Sequence, residues 1–397
     1  MPKKYHEIVR QLIELIEENH WKKNFEAAIK EAQKHNVPSI AHIDSVKKYL
    51  DYVNGLVEWA PREIGDSRLI YDRIVELYFF LDQPSLQELQ SPIRPDRVPC
   101  RDSKPIGHDA PAGASGPDLT PLSRWIVDFA NAWGSFLDTE ASAVHVESFR
   151  TDPTFNYDEY MPPPSGYKTF NQFFARHVKP GMRPIAAPED DRVLVSPADS
   201  TFVGWWQINQ NNRILVTENP LDVKGILWSI DQLLDCSEYA QRFRGGIFTH
   251  SFLNTFDYHR WHTPVAGTVI ERKVIQGQAY LDVKTKPAIV DGKKVTVLNA
   301  LDGTGFQFVQ TRGLVVIDSP IGLVACLPMG MAQVSSVVIT ADLGVTLDKG
   351  DELGYFQFGG SDFVMVFERA SNVQLVSQKN VHVQQGTWIG NAFPVTG

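Results

Sequence analysis

The chain changes its hydrophobic period once, and that switch restricts its fold more than any other feature. Ahead of Met161-Pro162-Pro163-Pro164-Ser165-Gly166, apolar residues recur at helical spacing; from Arg192 onward they fall into short β-like runs punctuated by Gly, Asp and Pro. Helices are predicted over 5–35, with Ile8, Leu12, Ile13, Leu15 and Ile16 on one stripe, and over 45–59, where Ser45 has N-cap character. Further helices are predicted over 67–81 and over 123–137, the last carrying Trp125, Phe129, Trp133 and Phe136. Three successive prolines make a stiff linker. The boundary therefore falls there, between a helical amino-terminal domain over 1–150 and a second domain over 165–397. In the second, 167–176 and 229–242 read as helices. Runs such as 193–195, 201–207, 265–275, 279–284, 306–310, 314–317, 322–327, 353–358 and 362–367 read as strands. The expected class is α+β: a mainly antiparallel sheet preceded by an all-α layer. Residues 83–121 are rich in Pro, Gly, Asp and Ser and form a candidate lid over a site.

Composition removes several function classes. A chain of 397 residues with 43% hydrophobic and 21% charged residues can bury a large core. A net charge of −9 disfavours nucleic acid and polybasic docking on anionic lipid. No apolar stretch approaches the ~20 residues of a spanning helix, so no integral membrane segment is expected. The first residues lack the apolar stretch of a signal peptide. Cys100, Cys236 and Cys326 are widely spaced, making neither a disulfide framework nor a metal pair, and a cytoplasmic location is the simplest expectation.

Three segments carry chemistry. Phe358-Gly359-Gly360-Ser361-Asp362 puts a serine after two glycines between aromatic and β-branched runs. A serine in such a turn can attack its own preceding carbonyl, and Gly360 has no side chain in the way; the plainer reading is a hairpin turn. Pro197-Ala198-Asp199 interrupts a β-like run with one carboxylate, which either caps a turn or orients a base. Asp257-Tyr258-His259-Arg260-Trp261-His262-Thr263-Pro264 holds two histidines three apart, suited to moving protons. Ser361 as nucleophile, His262 as base and Asp199 as its orienting partner form a coherent set, with His259 a second catalytic group or a structural partner. Zinc at His259 and His262 is the other reading, but a third ligand at diagnostic spacing is missing. Arg312 is a candidate for a substrate carboxylate, Lys224 reads as a surface or packing cation, and His250 fits a core as well as a site.

These segments resemble the phosphatidylserine decarboxylase family of pyruvoyl-dependent decarboxylases. Phe170-Asn171-Gln172-Phe173-Phe174-Ala175-Arg176 with Arg183-Pro184-Ile185, Pro197-Ala198-Asp199, Asp222-Val223-Lys224-Gly225, the histidine segment and Phe358-Gly359-Gly360-Ser361 carry the likeness, over about residues 165 to 375. Membrane-bound members usually have Leu-Gly-Ser-Thr at the cleavage site. The Gly-Gly-Ser form is more similar to a soluble branch that includes fungal L-tryptophan decarboxylases. The resemblance implies self-cleavage between Gly360 and Ser361 and conversion of Ser361 to a pyruvoyl cofactor. Fragments 1–360 and 361–397 would stay associated, and a primary amine would be decarboxylated through a Schiff base. It leaves open whether the chain pairs as a homodimer, which amino acid is the substrate, and which histidine protonates the product. A free, aromatic amino acid is the expected substrate, with Trp205, Trp206 and Trp261 near the motifs. The alternative is phosphatidylserine, and a non-catalytic scaffold is the third reading.

Overall fold

A computed structural model describes residues 5–64, 68–93, 119–216, 226–290, 292–300, 304–331, 336–358 and 360–395. Most of the predicted lid, together with Lys224 and Cys100, lies outside them. Helices come first, at Glu7–Glu18, Lys22–Gln33, Val46–Val57, Leu69–Leu81, Pro84–Gln87 and Pro121–Leu137. The single helix expected over 5–35 is two, because His20 takes a left-handed φ of 58° and Trp21 N–H turns back to Ile16 O. Ser45 does cap its helix, its hydroxyl accepting from Lys48 N–H. Thr120 caps the Pro121–Leu137 helix in the same way.

The rest is mostly antiparallel β structure around an eight-stranded sheet. Its strand order is Thr346–Leu347, Gly267–Ile275, Arg312–Ser319, Gly322–Met331, Gly360–Phe367, Ile247–Leu253, Ser200–Gln207 and His382–Val383. Side chains alternate between faces along each strand, and two cores follow. Leu253, Val315, Ile317, Cys326, Phe363 and Met365 join the core that runs through the helices to Leu12, Trp125 and Trp133. Phe248, Leu314, Val316, Met329, Val364 and Val366 join a second core on the opposite face. A smaller sheet of Val337–Ile339, Glu352–Phe356 and Arg260–His262 carries the histidine segment.

Three expectations for this domain need correction. Residues 306–308 form a 3-10 turn rather than a strand. The predicted 229–242 helix reduces to Ile230–Leu233 and a 3-10 turn at Ala240–Phe243, because Asp235 and Cys236 take positive φ between them. The strand expected over 279–284 begins at Val283 and continues to Val290, paired with Lys293–Ala300 in a hairpin that reaches the helices. There Val283 N–H donates to Asp82 and Ala300 N–H to the Tyr71 hydroxyl. Cys236 is disulfide-bonded and Cys326 is a free, buried thiol. Among the described residues no helix is long and apolar enough to cross a membrane.

The helical layer meets the sheet at Trp133, whose ring lies 5.3 Å from that of Phe358, three positions before Ser361. Trp133 is fully buried. Trp133→Ala removes a core indole and is expected to lower stability by about 3–5 kcal/mol, read from the urea midpoint. If helices and sheet share one core as this contact requires, fluorescence and far-UV signals of the variant shift together in a single transition.

Candidate active site

Ser361 sits in the fifth strand of the large sheet, Gly360–Phe367 (the serine strand). It pairs with Gly330 on one side and Leu253 on the other. Its parity with Phe363 and Met365 turns its side chain to the core shared with the helices. The residue is fully buried and its Oγ has no hydrogen-bond partner. A buried hydroxyl left unpaired costs about 1–3 kcal/mol, so its retention calls for a role.

The histidine segment is held against the chain leading into that strand. Trp261 pairs with Gly354, and Phe356 N–H donates to His259 O at 2.9 Å. His259 is fully buried, stacks on Phe174 with ring centroids 3.8 Å apart, and has no partner at either ring nitrogen. Phe174 also packs on Phe358, so His259 belongs to the apolar cluster that flanks Ser361. Burial, reinforced by the Arg176 charge, pushes the His259 pKa well down and keeps the ring neutral.

His262 is engaged at both ring nitrogens. Nδ1 lies 2.8 Å from Gly350 O, so it carries the proton and donates; Nε2 then accepts from the Tyr258 hydroxyl at 3.2 Å. Gly350 can present that carbonyl because its φ of 91° is one that glycine adopts freely. Burial lowers the His262 pKa, opposed by the bond to Gly350.

Asp199 does not orient His262. Its carboxylate is buried and accepts from Arg183 Nε at 2.8 Å, from a terminal Arg183 nitrogen at 2.6 Å and from Gln385 N–H at 2.8 Å. A guanidinium fork matches a carboxylate better than one imidazole N–H does, and Gly350 O takes the orienting place. The two segments still meet through the backbone, His262 N–H donating to Pro197 O at 2.8 Å. Asp199 precedes the strand Ser200–Gln207, and only Ile247–Leu253 separates that strand from the serine strand. The hydrogen-bonded set of Asp199, His262 and Ser361 expected from sequence is therefore not formed in this structure.

Two groups escaped the sequence reading. Arg183 lay in a quoted segment without a role, though a buried carboxylate needs a counter-charge. His382, in an unremarkable Val-His-Val run, bonds Asp257 at 2.9 Å; that bond raises the histidine's pKa, while burial raises that of Asp257. Both pairs border a cavity of about 330 Å³, with Tyr160 and Phe256 also in its wall. Arg312 is not available to a substrate: its buried guanidinium donates to Leu233 O, Gln232 O and Gln310 O, and burial lowers its pKa to about 10. The tryptophans do not gather round a pocket. Trp205 is exposed, Trp206 packs on Phe248 at the far face, and Trp261 is core.

A family model described as phosphatidylserine decarboxylase matches residues 170–391. Phosphatidylserine decarboxylase proenzyme 3 of Schizosaccharomyces pombe is 36% identical over 236 residues, covering 59% of this chain and 22% of its own length. Decarboxylase iboD of Amanita muscaria is 31% identical over 266 residues, 60% of this chain and 74% of its own. The phosphatidylserine decarboxylase proenzyme of Clostridium novyi is 31% identical over 241 residues, 61% and 75%. The chain thus spans under a quarter of the S. pombe protein and 31% of a similar rice proenzyme.

The buried histidines set the sign of a pH effect. Each has a folded pKa below its unfolded value of about 6.5, so the unfolded chain binds more protons as pH falls through that value. Stability is full above the unfolded pKa and declines as pH drops toward the folded ones. Urea midpoints of a Ser361→Ala chain, measured from pH 7.5 to 5, should fall with acidity. His259→Phe in that background should flatten the slope.

Proposed function

Because the chain belongs to the phosphatidylserine decarboxylase family, we propose that it is a self-processing, pyruvoyl-dependent carboxy-lyase whose substrate is phosphatidylserine. The observation that carries the self-processing is Ser361: a buried, unpartnered hydroxyl next to Gly360 in a strand paired on both sides. The word proenzyme in the names of the S. pombe and C. novyi relatives supports it.

His262 is assigned as the base of maturation. With Nδ1–H tied to Gly350, its lone pair is at Nε2, and the 3.2 Å bond from Tyr258 must open for that nitrogen to take the serine proton. The serine oxygen adds to the Gly360 carbonyl carbon, the Gly360–Ser361 amide breaks, and the backbone continues as an ester. Loss of the Ser361 α-proton then expels the Gly360 carboxylate and ends one chain at residue 360. Hydrolysis at residue 361 releases ammonia and leaves a pyruvoyl group at the head of 361–397. The fragments stay together because the serine strand remains paired with strands of the larger piece. The pyruvoyl carbonyl supplies an electrophile for a primary amine and an electron sink as CO₂ leaves. His259, unpaired beside Phe174, is assigned to proton movement at the carbon that loses CO₂.

Intact mass checks the scheme. The 44.6 kDa chain should resolve into 1–360 and 361–397, the smaller one refractory to amino-terminal sequencing. Ser361→Ala should remain whole and inactive. His262→Ala should accumulate uncut chain, whereas His259→Ala should be cut but lose about 10²-fold or more in CO₂ release. A wild-type chain that is active while whole ends the proposal, and the opposite pattern in the two histidine variants reverses their roles.

The substrate reading reverses the order taken from sequence, since the family description and most named relatives point to the lipid. A free amino acid is the second reading. It draws on the similarity to decarboxylase iboD and on the small cavity bordered by Tyr160, Phe256 and Arg183. CO₂ release from phosphatidylserine in detergent, beside a panel of free amino acids, separates the two. Turnover of the lipid is expected; turnover of amino acids alone overturns that choice and leaves the maturation chemistry standing.

A further inference from the structure

The residue after the serine is a buried acid. Asp362 has the opposite parity to Ser361, so it faces the core of Val364, Val366, Phe248 and Met329. Only 1% of it is exposed. His250, on the neighbouring strand Ile247–Leu253, brings Nε2 to 3.1 Å from Asp362 Oδ2. Gln307 donates to the same oxygen at 2.8 Å and accepts at Oε1 from Gly305 N–H at 2.7 Å. The other ring nitrogen of His250 lies 2.8 Å from the Thr304 hydroxyl. Asp362 Oδ1 has no hydrogen-bond partner.

This is a costly thing to bury. A carboxylate with one oxygen unpaired, in an otherwise apolar patch, is a poor source of stability, and fixing register is among the best attested uses of such groups. Register matters here because a slip of one residue exchanges the two faces of a strand. Before cleavage residue 361 is held from both directions along the chain. Afterwards it is the free end of a strand, attached only through Asp362, and strand ends open with little free energy.

We propose that the Asp362–His250–Gln307 cluster is a peg that fixes residue 361 in place once the chain has been cut. It rests on self-cleavage at Gly360–Ser361. The acid is held on the sheet face opposite the reacting group, where it cannot interfere with it, and its neighbours reach it from two other segments of the larger fragment. Asp362 is thus a positioning residue. It acts through residue 361, from the opposite face of the strand.

The test compares the same substitution in cut and uncut protein. Hydrogen exchange is followed at the amides of Phe363 to Met365 in the processed enzyme and in a Ser361→Ala chain. Asp362→Ala should speed exchange about tenfold or more in the cut protein and no more than about twofold in the uncut one, where the backbone still tethers the strand. Asp362→Asn, which keeps an acceptor oxygen for Gln307, should restore slow exchange. In CO₂ release the Ala variant should lose kcat with KM nearly unchanged. If Asp362→Ala prevents cutting, His250→Ala and Gln307→Ala carry the same comparison from outside the cleaved segment. Equal acceleration in both backgrounds, or none in the cut protein, overturns the peg. A parent chain that stays whole overturns self-cleavage and the peg together.

Discussion

The site depends on the double pairing of the strand Gly360–Phe367. Register with Gly322–Met331 on one side and Ile247–Leu253 on the other runs through Ser361 itself. An interior strand cannot slide without breaking two ladders and turning apolar side chains out of two cores. That constraint sends Ser361 to the face shared with the helices and Asp362 to the other. Ser361 is thereby separated from the buried Asp362 side chain by the thickness of the sheet.

Beside this strand His259 and His262 are left neutral. Asp199 is occupied by Arg183, which Glu159 also contacts at 2.9 Å, so the carboxylate is satisfied without an imidazole. His259 and His262 are buried, and that desolvation is the main cause lowering both pKa values. A neutral imidazole is the form able to accept a proton from a serine. His262 has its tautomer fixed by Gly350, whereas His259 has nothing at either nitrogen. The difference supports the separate proton-transfer roles proposed above for the two rings.

The helical layer meets this arrangement through aromatic packing and a polar link at Asp138. Trp133 lies against Phe358, and Phe170 and Phe174 close the same cluster from the segment that follows the proline linker. Asn171 links that segment to the approach to the serine strand: its Oδ1 accepts from Phe358 N–H and its Nδ2 donates to Asp138 at the end of the Pro121–Leu137 helix. Movement of the helices would therefore be felt three residues from Ser361.

Much of this was legible in the residues because it depends on local order. The change of period at the proline run separates helices from strands, Ser45 caps as its type predicts, and Gly360-Ser361 stands out as a glycine–serine step. The histidine segment could be recognised because its members are neighbours in the chain. Partners distant in sequence could not be assigned. Arg183 claims Asp199, Gly350 takes the orienting place beside His262, His250 and Gln307 meet Asp362, and three carbonyls claim Arg312. Side-chain type limits which bonds a residue can make; sheet register decides which of them are within reach. The sequence by itself thus determined the layer order and the residue types available for chemistry. Only the tertiary structure decided which acid, base and cation face one another, because those pairings follow from strand register and burial across segments far apart in the chain.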